Sequence, residues 1–200
     1  MKRWIVGSIV VLSVAVAGRA AAQERPGPGA VEVSIIPGGG TWVNSKGTDA
    51  SFHNYEAGGA LAVNFTRFVG VEGEVTGSFG LSQTFGDRID GKERSPNMLG
   101  YTANVVVNAA GRSVVPYATA GIGGNTLYSR ELLGIFNTDT FLTGNVGGGV
   151  KWYAPNGRWG LRGDYRFQGV KAKDNAPEFF GREHRYSNRL YGAVVVNAVK

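Results

Sequence analysis

The sequence predicts an all-β chain folded as an eight-stranded antiparallel up-and-down transmembrane β-barrel. Three observations predict it. Eight runs within residues 31–200 alternate apolar with polar or small residues, the period-two signature of strands with two unlike faces. The connections between these runs alternate between long and polar and short and tight. Past the first 18 residues no apolar stretch is long enough for a transmembrane helix, so any membrane span must be built from strands.

The chain opens with a basic segment, Met1-Lys2-Arg3-Trp4, an apolar run over Ile5–Gly18 and the small residues Ala20-Ala21-Ala22. This is the pattern of a cleaved export signal over residues 1–22, with Gln23 as the expected mature N-terminus. The apolar run, about 14 residues, falls short of the ~20 that a membrane helix needs, and no Cys stands near the cut to carry a lipid anchor. Residues 23–30, with the Pro- and Gly-rich Glu24–Gly29, read as a short periplasmic lead into a single domain over 31–200. The absence of Cys rules out a disulfide framework and thiolate chemistry. The formal charge of +6 includes Lys2, Arg3 and Arg19, which leave with the signal. Acids and bases interleave along the remainder without a basic stripe, which excludes nucleic acid as a partner.

The strand runs follow in order. Val31–Val43 comes first, with faces that are hard to separate. In Tyr55–Phe65 the apolar set Tyr55, Leu61, Val63 and Phe65 opposes Glu56, Gly58, Ala60 and Asn64. In Val69–Gly80, Val69, Val71, Gly73, Val75 and Phe79 oppose Gly70, Glu72, Glu74, Thr76 and Ser78. Asn97–Asn108, Pro116–Tyr128 and Thr140–Tyr153 alternate less cleanly. Trp159–Gln168 is the clearest: Trp159, Leu161, Gly163, Tyr165 and Phe167 on one face, Gly160, Arg162, Asp164, Arg166 and Gln168 on the other. Tyr186–Val199 completes the set. Glycines and β-branched residues within every run argue against helix.

The first, third, fifth and seventh connections are long, near 44–54, 81–96, 129–139 and 171–185. The others are short: Thr66-Arg67-Phe68, Ala109–Val114 around Gly111, and the Pro-Asn-Gly turn within Ala154–Arg158. Outer-membrane barrels share this asymmetry, with short periplasmic turns and long external loops.

Alternation alone does not say which face points inward, and a soluble barrel of lipocalin type would enclose its apolar face. The polar faces here carry Gly, Ser, Thr and Asn with charges of both signs, which suits a narrow lumen better than a solvent face. Aromatics gather at both ends of the runs: Phe65, Phe68, Trp152, Tyr153 and Trp159 near the turns, and Tyr55, Phe79, Tyr101, Tyr128, Phe141 and Phe167 near the loops. Two such belts are what a bilayer's interfaces select.

Pro116–Gly123, Asn145–Lys151 and Trp159–Arg166 resemble the later strands of the small outer-membrane β-barrel family that includes the OmpA transmembrane domain, OmpX-like proteins and opacity-type porins. The resemblance covers about residues 31–200. It implies the outer membrane of a Gram-negative-type bacterium, with outer-membrane lipid and the barrel-assembly machinery as partners and a monomer as the expected state. It carries no particular activity. One departure is the end of the chain, Asn197-Ala198-Val199-Lys200, where the family usually places a terminal aromatic residue.

Candidate chemistry is sparse. His53 and His184 fall in predicted loops, with no Cys and no metal-ligand spacing, so neither a metal nor a cofactor is expected. Gly121-Ile122-Gly123-Gly124 is followed by no helix and no Lys-Ser/Thr pair, so its glycines read as room in a narrow lumen rather than a phosphate loop. Glu183-His184-Arg185-Tyr186-Ser187-Asn188 resembles the His-x-Ser-Asn motif of lipid A deacylases, with one extra residue between His and Ser. Strand residues three apart point to opposite faces, and no acid follows the serine, so no catalytic residue is expected.

Two features remain. Glu72, Glu74, Arg162, Asp164 and Arg166 lie on the polar faces of the third and seventh runs, which face each other across an eight-stranded barrel. Unpaired charges in so narrow a core are costly, so an ion-pair network through the lumen is expected. Leu132, Leu133, Ile135 and Phe136 form an apolar group in an outer loop, a possible contact for an extracellular partner. The functional expectation is a structural or surface-interaction role, in adhesion or envelope integrity. The alternative is a narrow pore for small solutes, with a soluble lipocalin-like carrier and a lipid A-modifying enzyme more remote.

Overall fold

The computed structural model describes residues 27–45, 52–84, 92–128, 138–172 and 185–199. The strands are β1 (Val31–Ser45), β2 (Phe52–Asn64), β3 (Val69–Gly80), β4 (Ser82–Thr84), β5 (Lys92–Arg94), β6 (Met98–Asn108), β7 (Val114–Leu127), β8 (Asp139–Tyr153), β9 (Trp159–Val170) and β10 (Arg185–Val199). The eight long strands close into one barrel in the order β1-β10-β9-β8-β7-β6-β3-β2. Every neighbouring pair is antiparallel, and β1 pairs with β10 to seal the ring. The eight runs read from the sequence are these eight strands. The two short ones, β4 and β5, pair as a hairpin inside the connection expected to be loop.

Burial decides which face is inside. Ile122 is 70% exposed and Leu142 61%, whereas Arg166 and Glu56 are 0% and Asp164 1%. Along β9 exposure alternates residue by residue, with Arg162, Asp164, Arg166 and Gln168 buried and Leu161, Tyr165 and Phe167 outward. The fold is a transmembrane barrel turned polar-side in. A lipocalin-type carrier, whose apolar face lines the interior, has the opposite pattern.

The blurred faces of β1 have a local cause. Glu32, Ser34 and Ile36 point inward at even positions, but Thr41 and Val43 do so at odd ones. Between them the register shifts against both neighbours, at Ile35/Gly38 towards β10 and at Ile36/Gly39 towards β2. Such a bulge inserts a residue and inverts the inward set. Pro37 has no N–H to give to a ladder, and its carbonyl accepts the Tyr55 hydroxyl instead.

Short turns are closed by their own side chains. Thr66 Oγ1 accepts the N–H groups of Phe68 at 3.0 Å and Val69 at 2.9 Å. In the Pro-Asn-Gly turn Gly157 adopts φ 61°, Gly157 N–H reaches Ala154 O at 2.8 Å, and Asn156 Oδ1 accepts Arg158 N–H at 3.0 Å. Trp152 and Trp159 meet edge to face at 5.7 Å beside that turn, on the outer surface with Phe65 and Phe68. At the other end Tyr55, Phe79, Tyr101, Tyr128 and Phe167 are also outward. Two residues expected in these belts are not there: Tyr153 and Phe141 are each 2% exposed and point into the lumen. Tyr153 shares its face with Lys151, and Phe141 with Thr143 and Asn145, so strand parity overrides their position near a strand end.

Candidate functional site: the charged lumen

The lumen charges come from strands on opposite walls. β3 and β9 lie four places apart in the ring of eight, and alternation aims Glu72, Glu74, Arg162, Asp164 and Arg166 at the axis. The structure brings all five together. The Arg162 guanidinium grips both oxygens of Glu72, with Nη1 on Oε2 and Nη2 3.2 Å from Oε1. Arg166 Nη2 lies 2.7 Å from Glu72 Oε1 and 3.3 Å from Glu74 Oε2. Asp164 stands between the two arginines, 2.6 Å from Arg162 Nη2 and 3.0 Å from Arg166 Nε.

The network extends past the residues expected from the sequence. Arg189 of β10 pairs with Glu56 of β2, its Nε 3.1 Å from Oε2, and its Nη2 lies 2.8 Å from Glu74 Oε1. Thr41 hydroxyl donates to Glu56. Two buried tyrosines tie it inward. Tyr191 hydroxyl donates to Glu74 Oε2 at 2.6 Å, and Tyr117 hydroxyl donates to Asp164 while accepting Arg162 Nε–H at 2.7 Å. The guanidinium carbon of Arg162 sits 4.9 Å over the Tyr117 ring, a cation–π contact inside a desolvated core. Towards the short turns, Lys151 of β8 pairs with Glu32 of β1, and Tyr153 hydroxyl donates to the other Glu32 oxygen at 2.6 Å.

Among the described residues the carboxylates Glu32, Glu56, Glu72, Glu74 and Asp164 are thus matched by Lys151, Arg162, Arg166 and Arg189 in charge-assisted bonds. Arg185, also buried, adds a further positive charge at the loop end of β10. Chemically the arrangement braces six strands of the barrel through its lumen, joining β1 to β8, β2 to β10, and β3 to both β9 and β10.

The remaining candidates scatter. His53 is outward, edge-on to Trp42 at 6.5 Å, and its backbone N–H reaches Gln83 Oε1 at 3.0 Å. Ser187 points into the lumen and donates to Gln168 Oε1 at 3.3 Å, whereas Asn188 points outward and accepts from Tyr165 hydroxyl at 2.7 Å. Gly121–Gly124 lies within β7. His184, the apolar group Leu132, Leu133, Ile135 and Phe136, and the signal segment 1–22 lie outside the described residues.

The family profile described as outer membrane protein beta-barrel domain matches residues 7–191. The chain belongs to this outer-membrane β-barrel family. Its inverted burial and closed ring are the family's architecture, and it is an integral outer-membrane protein of the Gram-negative type. Among solved structures it is similar to Neisserial surface protein A, at 12% identity and TM-score 0.58 over 84% of this chain and 96% of that one. It is also similar to the outer membrane protein OprG from Pseudomonas aeruginosa, at 16% identity and TM-score 0.48 over 88% and 100%. A third is Ail, the attachment invasion locus protein of Yersinia pestis, at 16% identity and TM-score 0.43 over 84% and 99%. At such identities the likeness concerns the fold. No curated protein matches the sequence.

Proposed function

We propose that this member of the outer-membrane β-barrel family is a monomeric, non-enzymatic barrel with a structural and surface-interaction role. The supporting observation is the Glu72–Arg162–Asp164–Arg166–Glu74 network, which joins opposite walls of the barrel through paired charges. Eight strands enclose little beyond their own side chains, and here those side chains lock together. A braced, plugged barrel fixes the rim formed by its strand ends at the cell surface.

The β4–β5 hairpin supports the surface part of this reading. Ser95 is buried at its base, with Oγ 2.7 Å from Asn54 Oδ1 and accepting Leu81 N–H at 3.1 Å. Asn54 Nδ2 donates to Pro96 O at 2.8 Å, and Asn97 Oδ1 accepts Gly80 N–H at 2.8 Å. These bonds fasten the hairpin to the barrel rim. Outer-membrane lipid would cover the outward Val, Leu and aromatic side chains, the assembly machinery would insert the chain after removal of residues 1–22, and the closed ring supports a monomer. The non-enzymatic reading is supported by Ser187, which faces the lumen, away from Asn188.

The test is a deletion strain. Loss of the protein should sensitise cells to detergent or reduce their attachment to a host or abiotic surface, with the purified barrel silent in planar bilayers. Steady conductance from the wild-type barrel, with no envelope or attachment defect on deletion, would favour the second reading, a narrow pore. One observation favours that alternative. Arg166 shares Glu72 with Arg162, and Arg189 shares Glu74 with Arg166, so ion pairs can exchange partners over short distances.

A further inference from the structure

Exposed arginines crown the short-turn end of the barrel, one to each turn: Arg67 between β2 and β3, Arg112 between β6 and β7, and Arg158 between β8 and β9. In the ring these turns close every second strand pair, and the remaining position is where β1 begins beside the end of β10. The next strand along holds each turn in the same way. Asn108 N–H reaches Phe68 O at 2.7 Å, Tyr153 N–H reaches Ser113 O at 2.8 Å, and Asn197 N–H reaches Arg158 O at 2.9 Å. No Asp or Glu stands in any of these turns. Among the described residues, the carboxylates nearest that end by strand position are Glu32 and Glu72, both buried in the lumen and paired there. The opposite rim mixes both signs, with Lys92, Glu93 and Arg94 in β5.

We propose that this ring of arginines binds the head groups of anionic phospholipid in the inner leaflet of the outer membrane, each arginine taking its own lipid. The proposal rests on the periplasmic placement of the short turns. The surroundings favour lipid over a soluble periplasmic anion. The Arg67 guanidinium carbon lies 4.9 Å over the ring of Phe68, and Phe68 is exposed on the outer wall with Phe65. That charge therefore stands on the lipid side of the rim rather than over the lumen mouth. Arg158 is followed directly by Trp159, outward and edge-on to Trp152, and Arg112 stands just ahead of the outward Val114. Aromatic rings in such a belt sit at head-group depth, which brings the neighbouring guanidinium groups level with the phosphates. A guanidinium matches phosphate oxygens with paired N–H donors. Fixed positive charges with no acid in their turns favour a lipid of net negative charge over a zwitterionic one.

Quenching of tryptophan by brominated lipid tests the proposal in the mature barrel, reconstituted in phosphatidylcholine vesicles. Trp152 and Trp159 report on the short-turn rim, and Trp42, near the loop end of β1, reports on the other. Trp42→Phe isolates the first signal, and Trp152→Phe with Trp159→Phe isolates the second. Brominated phosphatidylglycerol should associate with the short-turn rim more strongly than brominated phosphatidylcholine by roughly fivefold, the factor one basic residue contributes at an anionic leaflet. Arg158→Gln alone, beside the reporters, should remove most of that difference. Combining it with Arg67→Gln and Arg112→Gln, in a barrel whose heat-modifiable gel mobility shows it folded, should make the two lipids equivalent while the Trp42 signal stays unchanged. Equal quenching by both lipids in the parent barrel, or a preference that survives the substitutions, overturns the proposal. So does loss of the preference on adding inorganic phosphate where chloride at the same ionic strength leaves it intact, because free phosphate is then the ligand.

Discussion

Arg162 and Glu72 meet across the full width of the barrel, from strands four places apart in the ring, with the guanidinium set against both carboxylate oxygens. Both side chains are almost wholly buried. Removing one member therefore strands the other charge in a confined, desolvated space. Glu72→Gln or Arg162→Met alone should each destabilise the barrel by about 3–5 kcal/mol. The double variant should lose less than the sum of the singles, by a coupling of about 0.5–3 kcal/mol. Urea unfolding followed by heat-modifiable gel mobility measures all three. Strict additivity would mean that the two groups do not depend on each other.

The outward face makes the opposite demand. Leu161 and Val75 are 50% and 53% exposed, and lipid is the solvent they meet. Arg at either position, if near the midplane, should cost about 2–4 kcal/mol. The same unfolding assay in lipid vesicles checks this. If Leu161→Arg and Val75→Arg fold as stably as the parent, the assignment of these side chains to lipid is wrong.

Much of the fold could be read from strand periodicity, because a lipid-facing side and a lumen-facing side force unlike residues into alternation. The charged centre was legible where that alternation is clean, in β3 and β9. Its extensions were not. Glu56 sits on a face already recognised as polar, but its partner Arg189 lies on a strand whose inward set changes from Arg185, Ser187 and Arg189 to Tyr191, Ala193 and Val195. Glu32 and Thr41 are on one side of the lumen only because the bulge after Ile36 inverts the parity of β1. Local sequence does not encode that shift. Which carboxylate a guanidinium chooses across the lumen depends on the stagger of the closed ring, a property of the whole sheet.

The hairpin anchor is a separable unit. Ser95 is 2% exposed, and its hydroxyl ties Asn54 of β2 to Leu81 at the end of β3. Ser95→Ala leaves these polar groups without their partner and should cost about 1–3 kcal/mol. Amide hydrogen exchange should quicken at Leu81 while β9 remains protected. Equal acceleration at Leu81 and throughout β9 would instead mean that the hairpin base is continuous with the barrel core.

Glycine placement gives the sharpest contrast. Asn145 Nδ2 donates to Asn104 Oδ1 at 3.0 Å, passing over Gly121 on the strand between them. A Cβ on Gly121 would lie 2.1 Å from Asn104 Oδ1 and 2.3 Å from the Ala103 carbonyl. Gly121→Ala should therefore destabilise by about 1–3 kcal/mol, the range for overpacking a filled core. Trimming Asn104 to Ala in the same chain should not restore stability, because the Ala103 carbonyl belongs to the backbone and cannot swing away. Gly73 is the control: it faces outward, nothing lies within 4 Å of a Cβ built there, and Gly73→Ala should change stability by less than about 0.5 kcal/mol. Matched unfolding curves for Gly121→Ala, Gly121→Ala with Asn104→Ala, and Gly73→Ala decide it. Full rescue by the Asn104 change would show that the side chain alone, and not the adjoining backbone, requires glycine at position 121.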